Sequence, residues 1–218
     1  MTTWTGIVFA AFLALAVVNL IGLNKGSVKM DRWTKPFLMP LLALLYWLAM
    51  RGSGRLEGYL LIGLLFGFLG DTLLLGTSDK MFTGGLLAFL AGHIFYILLY
   101  LRHFSLSALS PAGILVPAVL YALLLWVIVK KLFPSLKKQD KPGVGVYMVA
   151  ILLMSFTALQ LVLTGGSWWP FAGSLLFVAS DTMLAFQNFK YRPTPLSRVS
   201  IMLTYLLAQS FIMFGFIA

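Results

Sequence analysis

Apolar residues fill this chain in runs close to 20 residues long, and short stretches between the runs collect most of the charge. Eight such runs are read: Thr3–Gly22, Pro36–Met50, Leu56–Gly76, Met81–Leu101, Pro111–Val129, Val144–Leu163, Trp168–Gln187 and Leu196–Ala218. A run of this length crosses a bilayer as one helix, while a barrel strand would alternate over ~10 residues, and these runs do not alternate. The pattern predicts an all-α polytopic membrane helical bundle of eight transmembrane helices in a single transmembrane domain, residues 1–218. The second run is short, and its start at Lys35-Pro36 suits proline's tolerance of the first helical turn.

Composition agrees with that picture. The 218 residues are 61% hydrophobic and only 10% charged, which leaves no room for a soluble domain. There are no cysteines, so thiol catalysis, disulfides and thiolate metal sites are excluded. The net charge of +10 invites a nucleic-acid partner, but basic residues in short loops beside membrane spans account for it better. Met1 to Thr5 carries no basic residue, so the first helix is expected to stay as an anchor.

Loop charge also predicts orientation. With the N-terminus outside, the inner loops hold 13 of the 16 basic residues, and Arg51, Arg55 and Arg102 are left outside. Both termini are therefore expected outside the cell membrane, with basic loops cytoplasmic. Trp4, Trp47, Trp168 and Trp169 fall near outer span ends, as interfacial anchors would.

One polar feature breaks the apolar runs twice. Gly70-Asp71-Thr72 lies in span three and Ser180-Asp181-Thr182 in span seven, at an offset of 110. An Asp in hydrocarbon costs roughly 3 kcal/mol on insertion scales. A chain with six acidic residues places two of them this way. Spans three and seven run in the same direction, which predicts a 4+4 parallel repeat, residues 1–104 and 108–218. Lys35-Pro36 and Lys141-Pro142 near spans two and six echo it.

Counted from Gly76 and Gln187, the two aspartates come at similar depth, Asp71 about 7–8 Å from its inner helix end by a 1.5 Å rise. Gly63, Gly67 and Asp71 share one helical face, and Gly173, Ser174, Ser180 and Asp181 make a similar small, polar face. Two carboxylates that met there would titrate unequally and provide an acid beside a base. The plainer alternative is that each Asp pairs with a Lys or Arg. On the same side, Asn19 closes span one and Lys35 opens span two, and Asn188, Lys190 and Arg192 follow span seven. Lys35, Lys190 and Arg192 suit a phosphate, or serve only as positive-inside charges. His93 with Tyr96 on span four, and Tyr205 with Gln209 on span eight, are candidates to line a cavity for a polar head or glycerol hydroxyl.

Metal chemistry is poorly supported, because His93 is the only membrane-embedded histidine and a catalytic zinc wants three protein ligands. No serine lies in a nucleophile elbow and no phosphate-binding glycine loop appears. No metal and no other cofactor is expected.

Lys35-Pro36 with Pro40, Gly70-Asp71, the His93–Tyr96 stretch, Ser180-Asp181-Thr182, and Tyr205 with Ala208-Gln209 together resemble the YhhN-like integral membrane proteins, whose animal members are lysoplasmalogenases. The resemblance runs over nearly the whole chain. It implies hydrolysis of the vinyl ether bond of a lysoplasmalogen to a fatty aldehyde and a glycerophospho-amine alcohol. It marks Asp71 and Asp181 as the functional pair, with Lys35, His93, Tyr205 and Gln209 beside them.

That chemistry fits the residues. Protonating the outer vinyl carbon gives an oxocarbenium ion, water traps it as a hemiacetal, and collapse releases aldehyde and alcohol. A proton donor, a nearby anion and a positioned water suffice, with neither metal nor thiol. The expected partners are a lysophospholipid substrate and membrane lipids, without nucleic acid. Competing readings are a small transporter or lipid-binding membrane protein with embedded carboxylates, or a hydrolase of another lysolipid.

Overall fold

A computed structural model describes residues 3–217, Leu106 by its backbone alone. Met1, Thr2 and Ala218, the last of which ends the predicted eighth span, lie outside the described residues. The described chain is all-helical: α1 (Thr3–Asn24), α2 (Val28–Met50), α3 (Gly58–Leu73), α4 (Asp79–Leu101), α5 (Pro111–Leu132), α6 (Lys141–Leu163), α7 (Trp169–Phe189) and α8 (Pro195–Phe214), with short 3-10 turns before and after α5. Seven of the eight are long and apolar enough to cross a membrane, so the chain is a multi-pass membrane protein.

Local signals set these boundaries, and they move several from their predicted places. Ser27 starts α2, its hydroxyl accepting from the Met30 N–H, and Asp31 lies in the first turn where the helix dipole favours an anion. The helix therefore begins eight residues before Pro36, and Lys35 lies inside it instead of opening it. Pro36 and Pro40 are both within α2, where each leaves a carbonyl of the preceding turn without its helical N–H. By contrast α3 has 16 residues, about 24 Å at helical rise, and falls short of the ~30 Å hydrocarbon layer. Its expected last turn folds back instead: Leu74 N–H closes onto Gly70 O, and Gly76 N–H onto Leu73 O. Pro111 and Pro195 occupy first-turn positions behind Ser110 and Thr194 caps, and Thr194 with Ser197 forms a reciprocal capping box.

The helices form two compact units, a first that runs through Tyr96 and a second, Ile97–Gly215. In the first, α2 packs on α1 and α3. Leu38, Leu42 and Tyr46 give α2 its buried face, and Leu60 and Leu64 that of α3. In the second, α7 packs most extensively on α8 and also on α6. Much of α5 stays uncovered: Leu115, Val116, Val119, Leu120, Leu123 and Trp126 are exposed, as a lipid-facing surface requires.

Small residues permit the closest approaches. A Cβ on Gly173 would stand 2.7 Å from Ala208 O and 2.9 Å from the Ile212 backbone N, so α7 and α8 touch nearly backbone to backbone there. Gly63, 110 positions earlier, serves α3 likewise, with the ring of Tyr96 lying over it. Gly173→Ala must push α8 away and is expected to cost about 1–3 kcal/mol. Gly6→Ala, in open space on α1, is expected to be neutral or stabilising by up to about 1 kcal/mol. Unfolding of the two variants in detergent, side by side, checks the contrast.

Candidate functional site

In the first unit, the site grows from a polar node between α1 and α2. Asn19 is fully buried, and its amide donates to Asp31 Oδ1 (3.0 Å) and Thr34 Oγ1 (2.8 Å). Thr34 in turn donates to Met30 O (2.7 Å). Asn19 is thus an internal residue of α1, which continues to Asn24, and its Oδ1 is buried without a hydrogen-bond partner among the described residues. The node fixes the turn of α2 that carries Lys35.

Lys35 reaches from α2 to α3, where its Nζ lies 3.3 Å from Asp71 Oδ1. Asp71 is 1% exposed. A carboxylate that deep is stable only with compensating charge or hydrogen bonds, and Lys35 brings a full positive charge on a flexible stem. Gly70, beside it, lets α3 lie against Phe89 of α4, and the same spacing turns Asp71 toward the helices. His93 and Tyr96, three residues apart on α4, are both 1% exposed.

In the second unit, the hydroxyl of Tyr147 on α6 donates to Asp181 Oδ2 on α7. Ser180, next to it, donates to Ile201 O on α8 (2.9 Å). Across α5, α6 and α7, the hydroxyls of Tyr121, Ser155 and Ser174 form a chain with steps of 2.7 and 2.8 Å, and it ends on Phe171 O. Tyr205 is buried edge-on against Phe177, with ring centroids 5.4 Å apart, and Gln209 is buried one turn further along α8.

The remaining candidates lie at and beyond the end of α7. Lys190 follows α7 as its cap and donates to Lys131 O at the end of α5 (3.1 Å), beside the rings of Phe186 and Tyr191. That hydrogen bond ties two helix ends, which is a structural use for a residue expected at a phosphate. Asn188 is the penultimate residue of α7, not a loop residue, and both it and Arg192 are exposed. The helix ends also change the depth reckoning. Asp71 lies two residues before Leu73, the end of α3, whereas Asp181 lies eight before Phe189, the end of α7. His93 comes fourteen residues after the start of α4, about 21 Å by helical rise.

Each unit therefore contains one arrangement: an Asp on the third helix of four, held by a donor from the second. Lys35 plays that part for Asp71 and Tyr147 for Asp181. Sequence reasoning had both aspartates and Lys35, but missed Tyr147. Its signal was weak: a lone tyrosine on the span before Asp181, placed as Lys35 is placed before Asp71. Among the described residues, no three His, Cys, Asp or Glu side chains group closely enough to hold a metal ion.

The YhhN family model matches residues 30–216. The chain belongs to the YhhN family. Within this family membership it is 32% identical over 185 residues to Lysoplasmalogenase TMEM86A of Bos taurus, covering 80% of this chain and 73% of that protein. To Lysoplasmalogenase TMEM86A of Homo sapiens it is 33% identical over 186 residues, 78% and 72% of the two chains. To Lysoplasmalogenase TMEM86B of Sus scrofa it is 36% identical over 164 residues, 72% and 61% of the two chains. No solved structure matches the YhhN chain significantly.

The Lys35–Asp71 pair yields a stability test. Lys35→Met leaves a deeply buried carboxylate without this ammonium, and breaking a buried pair on one side costs about 3–5 kcal/mol. The Lys35→Met/Asp71→Asn double variant is expected to recover most of that loss, because neither charge is left behind. Unfolding measurements on the two singles and the double check it, and simple additivity would show the two residues to be uncoupled.

Proposed function

We propose that this membrane protein is a lysoplasmalogenase: it hydrolyses the vinyl ether bond of a lysoplasmalogen to a fatty aldehyde and a glycerophospho-amine alcohol. The observation that carries the reading is the extended match, over about four-fifths of the chain, to lysoplasmalogenases of cattle and humans. The geometry supports it with two carboxylates seated among apolar helices, each held by a named donor.

The reaction asks for little beyond those groups. One carboxylic group delivers a proton to the outer vinyl carbon, and a carboxylate takes a proton from water as its oxygen adds to the oxocarbenium carbon. We assign these roles to Asp71 and Asp181. His93 with Tyr96, and Tyr205 with Gln209, are the proposed contacts for polar parts of the substrate. Arg192, exposed beyond α7, suits its phosphate better than Lys190, whose ammonium already serves Lys131 O.

The proposed orientation keeps both termini outside and the basic loops cytoplasmic, by the distribution of Lys and Arg. The proposed duplication, residues 1–104 and 108–218, draws support from the recurrence of one plan in both units: an Asp held from the preceding helix, and a glycine, Gly63 or Gly173, pressed against the next.

Asp71→Asn and Asp181→Asn are each expected to lower aldehyde release by about a hundredfold or more, the usual scale for losing an acid or base. The assay compares vinyl ether, ester and alkyl ether lysolipids of matched chain length. Cleavage of the vinyl ether alone is expected. Near-normal turnover in either variant would remove that aspartate from the reaction, and preferred cleavage of the ester would replace the substrate class.

A further inference from the structure

The second unit contains a small cleft walled by α5, α6 and α7, with a volume of about 10 Å³. A seat for one water needs roughly 10–15 Å³ and two to four polar partners. The cleft reaches the lower end of that volume, and residues able to supply the partners line it. Most of its lining is apolar, including Ile128, Ile151 and Val178, but three polar side chains converge on it: Tyr147, Asp181 and Thr182.

The hydrogen-bonding capacities match as well. Asp181 Oδ2 accepts from the Tyr147 hydroxyl, and a carboxylate offers about four lone-pair sites, so it can accept from a water at the same time. A phenolic oxygen both donates and accepts, and the Thr182 hydroxyl can donate to the water oxygen. Asp181 is also only half-buried, unlike Asp71.

We infer that Asp181, Tyr147 and Thr182 form a water site, and that the water held there is the nucleophile of the reaction. This rests on the lysoplasmalogenase reading and divides the roles within it. The water oxygen bonds to the oxocarbenium carbon as Asp181 takes one of its protons. When the hemiacetal collapses, Asp181 returns that proton to the departing glycerol oxygen. The hemiacetal hydroxyl gives its proton back to the group that first protonated the vinyl carbon. One water is consumed and no net proton is gained or lost. Tyr147 is a positioning residue: it holds the Asp181 carboxylate at the cleft.

Three variants of the full-length protein in detergent test this, with the thermal midpoint of each recorded. Tyr147→Phe keeps the ring and removes the hydroxyl, and is expected to lower kcat by about tenfold to a hundredfold with KM within about twofold. Thr182→Val removes one water partner and is expected to lower kcat by about threefold or more. Ile151→Phe fills the cleft without touching a polar group, and the same split is expected: kcat down, KM held. If Tyr147→Phe does not fold, Ile151→Phe and Thr182→Val decide. An active wild type with undiminished kcat in the folded variants, or a loss that appears only in KM, overturns the water site and leaves the lysoplasmalogenase reading standing. A folded wild type that releases no aldehyde from lysoplasmalogen overturns the reading itself, and the water site with it.

Discussion

A carboxylate among membrane-spanning helices is the constraint around which this protein is arranged. Hydrocarbon cannot solvate it, so the neighbouring helices must. In the first unit an ammonium on α2 meets Asp71, and the Asn19–Asp31–Thr34 node holds the part of α2 that carries it. In the second a phenol on α6 meets Asp181, next to a serine that bonds the α8 backbone. Glycines on the same two helices allow close contact with the next helix: Gly70 against Phe89, and Gly173 against the backbone of α8. Packing, polarity and chemistry are therefore decided at the same few residues.

The two partners differ in kind. Lys35 neutralises a charge, while Tyr147 offers a hydrogen bond and no charge. Asp71 is sealed, while Asp181 opens on a cleft of about one water's volume. Unequal surroundings are what allow two identical side chains to serve as acid and base. The vinyl ether suits such a site because its cleavage asks only for a proton on carbon and a positioned water.

Much of this was legible in the sequence. The apolar runs gave eight helices because lipid forbids other backbone arrangements for short apolar segments. Asp71 and Asp181 stood out because charge is costly there, and their shared Asp-Thr context made them a pair. Element ends were read less well. Pro36 suggested a helix start, but the Ser27 cap and the packing of α2 on α1 carry the helix through it. Leu74 and Leu75 looked like a continuing span, but they lie in the turn that closes α3. Lys35 was visible as a basic residue, but not as the counter-charge of an Asp on the next helix, since hydropathy records no partners. Tyr147 was missed for the same reason: a tyrosine in an apolar run is a weak signal until its hydroxyl has an address.

The central claim is that this membrane protein breaks a vinyl ether bond by itself. Purified wild-type protein in detergent, given a lysoplasmalogen and followed for both products, tests it most directly, because detergent abolishes the sealed compartments that transport needs. The account predicts fatty aldehyde and glycerophospho-amine alcohol in equal amounts. Intact lysolipid after prolonged incubation with folded protein would contradict it.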